Sequence, residues 1–246
     1  THTTTASQKS HLTKASNKQV SSKQEYSRNS AKSSSLPDLR KYPSGTPRKK
    51  AFLRTVMPYI TSQNAAITAE RNWLISKQYQ GQWSPAERAR LKDIAKRYKV
   101  KWSGNTRKIP WNTLLERVDI IPTSMVATMA AAESGWGTSK LARNNNNLFG
   151  MKCMKGRCTN APGKVKGYSQ FSSVKESVSA YVTNLNTHPA YSSFRKSRAQ
   201  LRKADQEVTA TAMIHKLKGY STKGKSYNNY LFAMYQDNQR LIAAHM

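Results

Sequence analysis

The 246-residue chain carries 42 Lys plus Arg against 12 Asp plus Glu, a formal charge of +30 that implies a polyanionic partner. Its basic residues are spread along the whole length and no standard nucleic-acid motif marks a specific nucleic-acid partner, so charge alone does not choose among nucleic acid, anionic envelope lipids and an acidic cell-wall polymer. No run approaches the roughly eighteen apolar residues of a membrane span, and the 5 histidines lack metal-ligand spacing, so no metal or other cofactor is expected.

Residues 1–50 are rich in Ser, Thr, Lys, Gln and Asn and poor in bulky apolar side chains. They cannot bury enough surface to offset the entropy of ordering, and are predicted to be a disordered basic linker. Because the first residue is Thr1 rather than Met, this stretch reads as a tether left by processing or trimming, beyond a signal sequence or an anchor. From Ala51 the pattern turns helical. Phe52, Val56, Tyr59 and Ile60 share one face of a first segment, and Ala66, Trp73 and Leu74 mark a second. Ser84-Pro85-Ala86-Glu87 then supplies a cap, a proline at the first helical position and a capping-box glutamate ahead of Leu91, Ile94, Ala95 and Tyr98. Residues 51–109 are therefore read as a helical accessory region packing on the part that follows, since about fifty residues alone make a thin core. Glu70, Glu87 and Asp93 belong to its surface and caps.

After the helix-starting Pro122, small and apolar residues at helical spacing put Glu133 on one face with Val126, Met129 and Ala130. A carboxyl on a core face is desolvated, which disfavours its ionised form and suits a general acid near neutrality. It also stands at the negative end of a helix, a poor place for an anion without another reason. Gly135 and Gly137 end the helix and open the backbone. Trp136 and Phe149 offer flat apolar faces and the asparagines 144–147 offer paired donors and acceptors, the residue types that hold sugars. Together these point to a sugar-cleaving site.

The only two cysteines flank a turn in Cys153-Met154-Lys155-Gly156-Arg157-Cys158, which suits a disulfide and an oxidising compartment; a pair of free thiols is the alternative. Ser173-Val174-Lys175-Glu176 is a capping box ahead of an apolar face formed by Val174, Val178, Tyr181, Val182 and Leu185 and ended by His188-Pro189. A further helix is expected to start at Asp205 and carry Val208, Ala212 and Ile214 toward Gly219. The last begins near Ser226 and buries Tyr230, Leu231, Met234, Tyr235 and Leu241, while His188 and His215 read as ordinary half-buried residues.

The run Ala130-Ala131-Ala132-Glu133-Ser134-Gly135-Trp136-Gly137-Thr138-Ser139, then Asn146-Asn147-Leu148-Phe149-Gly150-Met151-Lys152, then 168–178 from Tyr168, then Gly219-Tyr220-Ser221-Thr222 with Tyr227 behind it, resembles the bacterial glucosaminidases of glycoside hydrolase family 73. Members cut the N-acetylglucosaminyl bonds of peptidoglycan, and the resemblance covers about residues 110 to 242. It implies a mainly α, lysozyme-like α+β catalytic domain over 110–246 with a small hairpin lobe. It implies Glu133 as general acid, and a role near the reacting sugar for Tyr220, in the place of the tyrosine of the family's Tyr-Ala-Thr motif. Trp136, Asn146, Asn147, Phe149, Tyr168 and Tyr227 are then the expected substrate-binding residues, and peptidoglycan glycan strands the partner of a monomeric, periplasmic or envelope-associated protein.

One departure bears on mechanism. Many members place a second carboxylate after the Leu-Phe-Gly motif, yet no Asp or Glu lies between Glu133 and Glu176. Glu176 itself is accounted for by its cap, so a single carboxylate is expected to act, with the substrate's acetamido group or its own 6-hydroxyl as nucleophile, the latter as in a lytic transglycosylase. The alternative is a non-catalytic peptidoglycan-binding envelope protein, and a basic nucleic-acid binder is the more distant rival. For the cysteines, mass analysis of unreduced protein is expected to show no free thiol; two alkylatable cysteines in native material would refute the bridge. Reduction should cost less than the roughly 3 kcal/mol expected for a fifteen-residue loop, loosening the turn without unfolding the chain.

Overall fold

The computed structural model describes residues 36–153, 156, 158, 161–217 and 224–246, and among them the regular structure is helical. Helix α1 (Thr46–Lys77) is the spine: at 1.5 Å per residue its 32 residues span about 48 Å, long enough to serve two cores. The two segments expected here form one helix, because Pro58 is exposed and removes a single ladder donor without breaking the turn. Ala66 is exposed and its neighbour Ile67 takes the inward place. Regular structure is already present ahead of residue 50, with Leu39 fully buried in a short 3-10 turn (Leu39–Lys41) and α1 starting at Thr46. The remainder of the expected linker, 1–35, lies outside the described residues.

The first half of α1 contributes Phe52, Leu53, Val56, Met57 and Ile60 to the main core. Its second half, through Leu74, joins a smaller cluster with Trp83, Leu91, Ile94, Tyr98, Val100, Leu114 and Val118. That cluster is built from α2 (Pro85–Arg97) and α3 (Trp111–Arg117). The capping box of α2 is present in both directions: the Glu87 N–H donates to Ser84 Oγ at 3.1 Å and the Ser84 N–H to Glu87 Oε1 at 3.0 Å. Glu70 and Asp93 both pair with Arg97 on the surface.

At the centre lies α4 (Thr123–Ser134), buried on nearly every side from Met125 to Ala131 and packed on α1 and on the last helix, α9 (Lys225–Ala243). A short α5 (Lys140–Asn145) follows, then α6 (Val174–Thr187), which lays the expected apolar face on α1. Two further helices are α7 (Ser192–Lys203) and α8 (Ala210–Met213). Asp205 is no N-cap: it sits just past the end of α7 with φ +53°, and Thr209 caps α8 by accepting from the Ala212 N–H. In α9 Leu231 and Ile242 are buried and Met234, Tyr235 and Leu241 pack half-buried against the main core, whereas Tyr230 is 56% exposed. Among the described residues the expected hairpin lobe comes down to one antiparallel bridge between Lys152 and Tyr168.

The connector 118–122 between α3 and α4 is fixed by charge. Asp119 is buried and accepts two hydrogen bonds from Arg202, at 2.9 and 2.8 Å, while Arg71 and the fully buried Arg198 close in at 3.5 and 3.9 Å. The same arginines clamp the backbone around it, Arg198 donating to the carbonyls of Glu116, Asp119 and Ile120 and Arg71 to those of Leu115 and Val118. Asn186 and Asn64 hold the carbonyls of Asp119 and Ile121. Burial pushes the Asp119 carboxyl up, but Arg202, Arg198 and Arg71 together outweigh it and hold it below the usual aspartate range. Desolvation in turn lowers Arg198 to about 10.

Replacing Asp119 with Asn leaves three cations uncompensated, and the expected loss is about 3–5 kcal/mol by denaturant titration. The wild-type contribution, coming from a depressed carboxyl, is complete above the unfolded value near ~3.9 and is lost as pH falls through the lower folded value. Acid unfolding curves should therefore be steeper for the wild type than for Asp119→Asn in that window.

Candidate active site

Glu133 occupies the last turn of α4, and the reason the helix ends there is visible in the backbone. Gly135, Trp136 and Gly137 take successive positive φ values of 56°, 54° and 80°. The Gly135 and Trp136 N–H groups both return to the Ala131 carbonyl. Ser134, fully buried, ties the turn together by donating to the Ala130 carbonyl at 2.6 Å and accepting from the Gly137 N–H at 2.9 Å. Gly137 is irreplaceable here for lack of room, since an added Cβ would run into Leu39 and Phe52.

Glu133 is half-buried rather than enclosed, although Val126, Met129 and Ala130 on the same face are fully buried. The difference arises because its position is the last on the face, where the helix leaves the core. Its Oε1 accepts a 2.6 Å hydrogen bond from the hydroxyl of Tyr227, at the start of α9. Its Oε2 lies beside Gly150, where a Cβ would stand 3.3 Å away; Gly150 has φ +68°, so the position favours glycine twice over. No ion pair engages Glu133 among the described residues. One oxygen is thus held and the other is left beside open backbone.

The expected sugar-holding residues divide sharply. Tyr227 meets Glu133 directly. Trp136 is half-buried next to it, edge-on to Phe52 with ring centroids 5.6 Å apart and with Lys49 Nζ 5.1 Å over its face. Lys49 also donates to Asn238 of α9 at 2.9 Å, so three elements fix that indole. Tyr168 is half-buried at the bridge to Lys152.

Phe149, by contrast, is fully buried and stacked on Tyr181 at 4.2 Å, with no free face for a sugar. Asn147 is also buried, donating to the carbonyls of Met151 and Ser169 and accepting from the N–H groups of Phe149 and Met151. Asn146, left-handed at φ 51°, donates to the Phe171 carbonyl. Asn145 makes the same kind of bridge to Val165 and Ser169. The amide run is a brace for the segment 145–171.

Tyr220 lies outside the described residues. Glu176 is engaged in its cap: it accepts from the Ser172 backbone N–H at 2.7 Å and from the Ser172 hydroxyl, while Ser173 Oγ accepts from the Glu176 N–H. The disulfide joins Cys153 and Cys158, exposed, with Cα atoms 5.2 Å apart. Among the described residues no group of three or more His, Cys, Asp or Glu side chains converges. Gly150 and Ser134 are the neighbours of Glu133 that composition alone did not single out. The signal for Gly150 was its place in Leu148-Phe149-Gly150, legible as a motif but not as a neighbour of Glu133.

A family model described as Glucosaminidase, mannosyl-glycoprotein endo-beta-N-acetylglucosaminidase, matches residues 110–240. No solved structure gives a significant match. The matched stretch contains Glu133, Gly150 and Tyr227 and leaves α1 and α2 outside it.

Tyr227→Phe removes the hydroxyl's hydrogen bond to Glu133 and keeps the ring. Turnover of a glycan substrate is expected to fall by about 10- to 100-fold, with the thermal unfolding midpoint little changed. Equal turnover of variant and wild type would show that the hydroxyl's hold on Glu133 does not bear on turnover.

Proposed function

Since the chain belongs to the Glucosaminidase family, and is thereby a glycoside hydrolase, we propose that it is a β-N-acetylglucosaminidase that cleaves the glycan strands of bacterial peptidoglycan with Glu133 as its acid. The observation that carries this reading is the arrangement at Glu133: one carboxylate oxygen tethered by Tyr227 and the other left clear by Gly150.

Glu133 gives its proton to the glycosidic oxygen as the bond to the anomeric carbon breaks. The tether from Tyr227 to Oε1 fixes the carboxyl's rotation, so the proton-bearing oxygen is Oε2. Positive charge at the anomeric carbon is then met by the substrate. The carbonyl oxygen of the 2-acetamido group attacks that carbon, and Glu133, now ionised, takes a proton from the water that opens the resulting ring. In the variant path the sugar's 6-hydroxyl replaces water, loses its proton to Glu133 and closes an anhydro ring. Either path needs one protein carboxylate, in keeping with a stretch from Ser134 to Lys175 that holds no Asp or Glu and with a Glu176 engaged in capping α6. Tyr220 is assigned the orientation of the acetamido group from its place in the motif. The chain's charge of +30 suits the carboxylates of peptidoglycan stem peptides and anionic envelope lipids. An extracytoplasmic site of action fits the disulfide. No helix among the described residues is long and apolar enough to cross a membrane.

Incubation with purified peptidoglycan followed by mass analysis of the products tests the assignment, and free reducing ends against anhydro ends separate the two paths. Glu133→Gln should lower the rate by about 100- to 10,000-fold while the protein still folds and still sediments with the polymer. Activity within a few-fold of wild type would end the case for Glu133. Glu176→Gln should be mild and Tyr220→Phe worse. The opposite order, with Glu176→Gln inactive yet folded, would restore a two-carboxylate mechanism.

A further inference from the structure

Four of the chain's five tryptophans, Trp73, Trp83, Trp102 and Trp111, lie on the accessory side of the molecule rather than at Glu133. Three of them pack on one another: Trp83 meets Trp73 at 6.2 Å and Trp111 at 6.3 Å between ring centroids. Trp102 stands apart and lines a surface groove of about 300 Å³ with Pro85, Arg88, Ala89, Lys92 and Gly104. Pro85, Arg88, Ala89 and Lys92 are spaced i, i+3, i+4, i+7, so they form a single exposed stripe of α2 that borders the buried Leu91, Ile94 and Ala95. One wall of the groove is therefore basic and the other is an indole.

Both walls are set in place. Trp102 packs on the second core cluster and donates from Nε1 to the Asn105 carbonyl at 3.0 Å. Asn105 in turn accepts from the Arg107 N–H, and its carbonyl also accepts from the Lys108 N–H. The indole is thus held by a self-braced loop before anything binds.

The charges on the other wall are left over. The acids of α2 are committed elsewhere, Glu87 to Lys77 and Asp93 to Arg97, and the neighbouring Arg90 lies 4.4 Å over the Trp73 ring. Neither Arg88 nor Lys92 has an acidic partner among the described residues. Two exposed cations with no counter-charge, facing a fixed aromatic plane across an open groove, suit a ligand that carries both a sugar face and carboxylates.

We infer that this groove is a second glycan-binding site, which holds acidic peptidoglycan strands by stacking a sugar on Trp102 while Arg88 and Lys92 meet stem-peptide carboxylates. The inference rests on the proposed peptidoglycan activity, and it gives the region outside 110–240 a task of its own: keeping the enzyme on an insoluble polymer between cuts. Trp102, Arg88 and Lys92 are binding residues remote from the chemistry, so they affect only substrates long enough to reach them.

The test compares the full-length wild type with Arg88→Glu/Lys92→Glu and with Trp102→Ala in three assays: co-sedimentation with insoluble peptidoglycan at low and high salt, binding to anionic phospholipid vesicles, and cleavage of a short soluble amino-sugar oligomer. Both variants are expected to bind the polymer about tenfold more weakly, and to cleave it more slowly at limiting polymer, while cleaving the short oligomer within about twofold of wild type. For the charge-reversed pair the deficit should shrink at high salt, where the wild type loses its own advantage. Unchanged polymer binding by the double charge variant, whose positions are exposed and tolerate substitution, would overturn the proposal. So would an equal loss on polymer and oligomer, or a loss confined to the vesicles, which would make the groove a membrane contact. A wild type that cleaves neither polymer nor oligomer would instead remove the underlying enzymatic reading.

Discussion

Asp119, buried beneath three arginines, is the contact on which the placement of Glu133 depends. Taking one carboxylate and several guanidinium groups out of water is expensive, and the cost is met only because nearly every donor finds an acceptor. Arg202 covers both carboxylate oxygens, while Arg198 and Arg71 turn to backbone carbonyls of the connector and of the last turn of α3. The connector is thereby fixed at both its side chain and its main chain. It leads straight into Pro122 and α4, a helix of twelve residues with Glu133 in its last turn, so the position of the connector sets where the carboxylate emerges.

At the other end of α4 the constraint is steric. Three successive residues with positive φ turn the chain away from the helix, and the turn is wedged against Leu39 and Phe52 with Trp136 held under Lys49. These supports come from residues 36–53, ahead of the stretch that matches the family. The consequence is that the accessory helix α1 belongs to the architecture of the candidate site: its first half supports the turn after Glu133 and its second half builds the cluster that carries the Trp102 groove.

Residue type misled where burial decided the role. Aromatic and amide side chains next to Glu133 looked suited to a sugar, yet Phe149 and Asn147 are turned inward. An asparagine can hold a carbohydrate or replace a missing strand pairing with the same two donors and one carbonyl oxygen. In a segment with one bridge pair among the described residues, the backbone groups of 145–171 need partners, and Asn145, Asn146 and Asn147 supply them.

The sequence by itself determined the helical class, the capping of α2 and α6, the end of α4 at Gly135 and the candidacy of Glu133, because each follows from local periodicity or from a residue acting on its own backbone. Only the tertiary structure decided which partners reach Glu133. Tyr227 lies 94 positions away in sequence, and Gly150 acts by having no side chain, so neither contact leaves a local pattern. Helix α7 escaped notice for a related reason: two of its inward positions are Arg195 and Arg198, which read as solvated residues in the sequence. They turn inward because carbonyls replace the water they give up, those of Leu185 and His188 for Arg195 and, with one buried acid, those of the distant Glu116 and Ile120 for Arg198.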